Sequence, residues 1–240
     1  MSPDEPHSSS QRYLLPTQSA LVTPYGGLGG SKSVARELLE AVILSLLLFL
    51  VAQTLVQQRR VLGHSMDPNL QTGEYLLIDR ASYFQVDPHL LGGSSATAPA
   101  AQSQTPHFLL GGPHRGDIVV LNSPVEPAEY IKRVIGLPGE TVEVRAGDGV
   151  YINGRRLTEP YIKEAPTYQW PAGGVANVVP AGHVFVLGDN RNNSSDSHIW
   201  GFLDERSIVG RAWISYWPRE VLGIFEQPSY AGVEPAPPTP

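Results

Sequence analysis

The stretch YIKRVIGLPG, Tyr130 to Gly139, reads as a β-strand that ends in a turn, and it carries two adjacent basic residues in its middle. Side chains along a strand alternate faces, so Lys132 projects with Tyr130 and Val134, and Arg133 with Ile131 and Ile135. Each cation is set among apolar neighbours, where a valine would pack better. Either these side chains snorkel to water, or their burial has a use.

Working outward, short apolar runs punctuated by turns recur on both sides: GEYLLIDR (Gly73 to Arg80), GDIVVLN (Gly116 to Asn122), ETVEVRAG (Glu140 to Gly147), GVYINGRRL (Gly149 to Leu157), GHVFVLGD (Gly182 to Asp189) and VGRAWISYW (Val209 to Trp217). Asn153-Gly154 is a hairpin-turn signal between two such runs. No comparable run of helical periodicity follows Arg60. The pattern predicts an all-β, mainly antiparallel domain over residues 61–226, with a smaller β lobe inserted at about 143–184.

The N-terminal side differs. LLEAVILSLLLFLVAQTLV, Leu38 to Val56, carries one charge, Glu40. Nineteen helical residues rise about 28 Å, close to the hydrocarbon thickness of a bilayer, so a membrane-spanning helix is expected over 36–57. The positive-inside count is a tie, with Lys32 and Arg36 on one side and Arg59 and Arg60 on the other. Residues 1–35 and 227–240 read as disordered tails. A stretch at about 88–114, without Lys, Arg, Asp or Glu, reads as a flexible insertion in which HFLLGG, His107 to Gly112, docks on the domain or dips into lipid.

With 240 residues the chain holds one good core and tails. Its net charge of −6 gives no footprint for nucleic acid. The absence of cysteine excludes disulfides, thiolate nucleophiles and Cys-based zinc sites. The chemistry must come from elsewhere.

Four stretches stand out: GHSMDPNL (Gly63 to Leu70), RGDIVVL (Arg115 to Leu121), YIKRVIGLPGETV (Tyr130 to Val142) and VLGDNRNNSSDSHIWG (Val186 to Gly201). In this order, after an apolar helix, they resemble the type I signal peptidases, membrane-anchored serine proteases that remove signal peptides from exported preproteins. The residues themselves fit a nucleophile and a base. A hydroxyl such as that of Ser65 is a weak nucleophile until a neighbouring base takes its proton. An ordinary lysine is protonated at neutral pH, but burial among apolar side chains disfavours the ammonium, so Lys132 can serve as that base. The Ser-Lys pair is a known variant of the catalytic triad.

The resemblance also implies roles for other residues. Ser194 would orient the lysine, and the Ser65 N–H would hold the oxyanion. Asp189 and Asp196 would be structural acids, with Arg133 a partner for one of them. Met66, Leu70, Tyr130 and Ile131 would wall the pockets for small residues before the cut, typically Ala-x-Ala; for Leu70, core packing is an equal reading. No metal or organic cofactor is called for, and the expected partners are signal peptides and the lipid bilayer. The resemblance places the chain in the plasma or inner membrane, single-pass, with its catalytic domain on the extracytoplasmic side.

Three residues depart from the family's commonest pattern: Gly63 where Ser or Thr often lends an oxyanion donor, His198 where arginine is usual, and Asn69 in place of threonine. A Ser65, His198, Asp196 triad is a rival arrangement. Rival functions are a specialised Ser-Lys peptidase and a non-catalytic membrane-tethered module that binds peptides. Trp213 and Trp217 suit either a membrane interface or the core.

Overall fold

The computed structural model describes residues 31–86, 107–108 and 111–230. The expectations for residues 1–30, 231–240 and most of the 88–114 insertion lie outside them. The chain divides into two compact units between Leu47 and Leu48.

Helix α1 (Ser31–Leu55) carries no charged residue after Glu40, and its described side chains from Val34 to Thr54 are exposed. It is long and apolar enough to cross a membrane. It begins five residues before the expected span, and residues 56–60 beyond it form a strand.

The described residues of the second unit form fourteen strands. In chain order these are β1 (Val56–Arg60), β2 (Tyr75–Asp79), β3 (Gln85–Val86), β4 (His107–Phe108), β5 (Ile118–Asn122), β6 (Glu129–Gly136) and β7 (Thr141–Arg145). There follow β8 (Gly149–Ile152), β9 (Arg155–Arg156), β10 (Asn177–Val178), β11 (His183–Leu187), β12 (Leu203–Asp204), β13 (Ile208–Trp217) and β14 (Gly223–Ile224). One four-residue helix, α2 (Ser197–Trp200), precedes β12.

The large sheet runs β1-β2-β13-β5-β6-β11-β12, with β14 also on β13, and its neighbouring strands pair antiparallel. Register shifts along β13, after Ile208, Ala212 and Ser215, let that ten-residue strand bend from β5 onto β2. The four-stranded sheet β10-β7-β8-β9 forms the inserted lobe.

The sheets divide three clusters of buried side chains. Val142, Val144, Val150 and Ile152 of the lobe pack against Ile135 of β6 and Phe185 and Leu187 of β11, so lobe and large sheet share a core. Met66, Leu70, Leu76, Ile78, Ile118 and Val120 make a second cluster, and Val119, Leu121, Val134, Val184 and Val186 a third. Strand β6 touches all three: Ile131 packs on the second, Val134 belongs to the third and Ile135 to the first. The alternation read from the sequence is what lets one strand serve three cores.

Phe108 joins the third cluster edge-on to Tyr83, with ring centroids 6.0 Å apart, so this part of the insertion docks on the domain. Trp213 and Trp217 are exposed, which excludes the core reading for both.

Candidate active site

The nucleophile candidate sits in the turn joining β1 to β2. Gly63 takes a φ of +88°, a conformation that side-chain-bearing residues rarely adopt, and it lets the chain reverse just before Ser65. Met66 carbonyl oxygen then accepts from the Asn69 and Leu70 N–H groups at 3.0 and 3.1 Å. The turn is fastened from outside by Asn190, whose N–H donates to the Ser65 carbonyl and whose Nδ2 donates to the His64 carbonyl, both at 3.0 Å. Asn69 Nδ2 donates to Asp189 Oδ2 at 2.9 Å, tying the same turn to the strand end after β11. Among the described residues the Ser65 N–H donates to no other group.

Lys132 faces this turn from the middle of β6, paired in register with Val119. Only 3 % of it is exposed. Its Nζ lies 2.9 Å from Ser65 Oγ and 3.0 Å from the Ile131 carbonyl oxygen. Burial pushes the amine down from 10.5 to about 8, against the opposing pull of the Asp196 and Asp189 carboxylates. A usable fraction of it is therefore neutral near physiological pH.

Arg133, on the other face of β6, is buried too and keeps its charge. Its Nε and Nη2 donate to Asp189 Oδ1 and Oδ2 at 2.7 and 2.6 Å, and Nη1 donates to the Gly116 carbonyl at 2.9 Å. Its partner is thus Asp189, and not Asp196. Asp196 caps α2 instead, accepting from the His198 N–H at 3.1 Å, from His198 Nδ1 at 2.7 Å and from the Gly188 N–H at 2.8 Å. The His198 ring is stacked on Tyr168 of the inserted lobe, 3.9 Å between centroids. Among the described residues His198 hydrogen-bonds to Asp196 and has no hydrogen bond to Ser65, which the rival triad would need.

Ser194 lies against Gly188, but its Oγ makes no hydrogen bond to Lys132 or to any other described residue. The contacts given for Lys132 Nζ are Ser65 Oγ and the Ile131 carbonyl oxygen. Gly188 itself was missed in the sequence. A Cβ there would come within 2.3 Å of Ser194 Oγ and 2.4 Å of the Ser65 carbonyl oxygen, so only glycine lets the two segments close. Arg191, fully buried and paired with Glu159 at 2.6 Å, is a second unforeseen anchor of the same turn.

A cleft of about 430 Å³ opens beside the dyad. Met66, Tyr130 and Ile131 line it, together with Arg60, Val61 and Leu62 at the end of β1. Leu70 does not; it is wholly buried in the second cluster, so of its two readings core packing holds. Strand β1 is a sheet edge, and β6 pairs with β11 only from Arg133 onward, which leaves the Glu129–Lys132 edge unpaired by that neighbour. An extended peptide laid between them finds main-chain partners on both sides. Among the described residues no group of His, Asp and Glu suits a metal ion.

The sequence profile of the family described as "Signal peptidase, peptidase S26" matches residues 35–217. The chain is 39% identical over 197 residues to a protein named signal peptidase I from Leptolyngbya laminosa, covering 78% of this chain and 82% of that one. It is 40% identical over 195 residues to a probable signal peptidase I-1 of Synechocystis sp., with the same coverage. It is 31% identical over 217 residues to a signal peptidase I of Pseudomonas aeruginosa, covering 75% of this chain and 72% of its relative.

Proposed function

Since the chain belongs to the peptidase S26 family of signal peptidases and is a serine endopeptidase, we propose that Ser65 is its nucleophile and Lys132 its general base. The observation that carries this reading is the 2.9 Å contact between Lys132 Nζ and Ser65 Oγ, made by an amine that burial has brought down to about 8. The neutral amine takes the Ser65 proton as Oγ attacks the scissile carbonyl. The oxyanion is held by the Ser65 N–H, a main-chain donor at the nucleophile without a partner among the described residues. Gly63 offers no side-chain donor. The ammonium of Lys132 next gives its proton to the leaving amine, which departs as the N-terminus of the mature protein. The amine then deprotonates a water that hydrolyses the Ser65 ester, returning the hydroxyl.

Arg133, Asp189 and Asp196 act through position. The Arg133–Asp189 pair and the Asn69 contact hold β6 and the nucleophile turn in one frame, and Asp196 fixes Gly188 against Ser65. Ser194 has a buried hydroxyl with no partner among the described residues and would orient the amine. Met66, Tyr130 and Ile131 line the cleft beside the dyad and would contact the small residues of an Ala-x-Ala site. Helix α1 spans the plasma or inner membrane once and leaves this domain on the extracytoplasmic side, where translocated preproteins emerge.

The test is incubation of the purified enzyme with a preprotein. A single product cut after a small-x-small site, absent with Ser65→Ala and with Lys132→Ala, is expected. Cleavage that survives Lys132→Ala but is lost with His198→Ala would transfer the base role to the histidine.

A further inference from the structure

A second cavity, of about 520 Å³, flanks the same turn. The two cavities divide its residues: Gly63, Ser65 and Met66 line the first, whereas His64, Asp67 and Pro68 line the second. The turn is therefore the wall between them. If the residues before the cut occupy the first cleft, the chain that continues past the turn is directed toward the second. Asn190, on the lining of the second cavity, holds the carbonyls of His64 and Ser65 and so keeps the turn in place as that wall. The volume falls in the range that binding sites occupy.

Its charges are not all spent. Asp189 is paired with Arg133 and Arg191 with Glu159. Asp67 has no arginine or lysine partner among the described residues; its Oδ2 lies 3.1 Å from His64 Nδ1. Lys163 and Glu164 are exposed, line the cavity and take part in no ion pair among the described residues. Two acids thus face one lysine.

Building on the Ser65–Lys132 reading, we infer that this cavity receives the first residues of the mature chain, just after the cut. Asp67 and Glu164 bias it toward basic over acidic side chains at the second and third positions beyond the cut. The recognised ligand is the start of the cleaved preprotein, distinguished by charge.

Two preprotein peptides test this, identical through Ala-x-Ala and an alanine after the cut, then carrying Lys-Lys or Glu-Glu. The full-length enzyme in detergent should show a kcat/KM about fivefold higher for the lysine peptide at low salt, narrowing as salt is raised. Glu164→Lys reverses the local balance and should invert the preference. Because each ratio is taken within one preparation, a partly folded variant does not alter it. A ratio near one in the wild type, or one that Glu164→Lys leaves unmoved, overturns the inference. If both peptides are still cut only when Ser65 is present, the dyad survives that failure; if cutting persists in Ser65→Ala, the dyad and the cavity assignment fall together.

Discussion

Replacing Lys132 by methionine should make the folded domain more stable while abolishing its activity. Burial lowers the amine from 10.5 to about 8, a displacement equivalent to about 3 kcal/mol. Because the folded value lies below the unfolded one, the unfolded chain binds the proton more tightly. Stability therefore rises with pH between about 8 and 10.5, and below about 8 the full cost of burying the amine is present. Methionine keeps the apolar stem and removes that cost, but it leaves Ser65 Oγ and the Ile131 carbonyl without the amine, a loss of about 1 kcal/mol. The net expectation is a gain of about 2 kcal/mol at pH 7 that disappears by about pH 10.5. Urea unfolding of the full chain in detergent, followed by tryptophan fluorescence from pH 6.5 to 10.5, measures it. A methionine variant that is less stable at pH 7, or a difference that does not change with pH, would refute the reasoning.

Gly188→Ala should lower the acylation rate about 100-fold or more, since a Cβ at this position displaces the Ser65 carbonyl or the Ser194 side chain; pre-steady-state cleavage with a circular dichroism check of folding reads this. Asp189→Asn strips the buried Arg133 guanidinium of its counter-charge and should cost about 3–5 kcal/mol in denaturant unfolding. Leu70→Ala should destabilise by about 2–5 kcal/mol, yet leave the cleavage position in a preprotein unchanged by mass spectrometry, because Leu70 lies in the core. Ile131→Ala, on the cleft wall, should instead admit a larger residue before the cut.

Much of this was legible because strand alternation is a strictly local code. The run Tyr130 to Gly136 announced a strand with each cation between apolar residues, and it folds so, with Lys132 and Arg133 buried on opposite faces. What stayed hidden depends on distant segments meeting. Nothing local distinguishes Leu70 in the core from a cleft wall. Gly188 looks like any glycine before an aspartate until the Ser65 carbonyl is seen against it. The choice of Asp189 over Asp196 for Arg133 is set by where the strand end after β11 meets β6. Val56 to Arg60 has a polar composition that hides a strand, and only pairing with β2 reveals it.

The most direct test is the pH dependence of the acylation rate on a preprotein, with Lys132→Arg measured alongside. The account predicts a rate that climbs through a midpoint near pH 8 as the amine loses its proton, and no cleavage by the arginine variant at any pH. A rate already at its plateau at pH 6.5, or an arginine variant that still cuts, would contradict it.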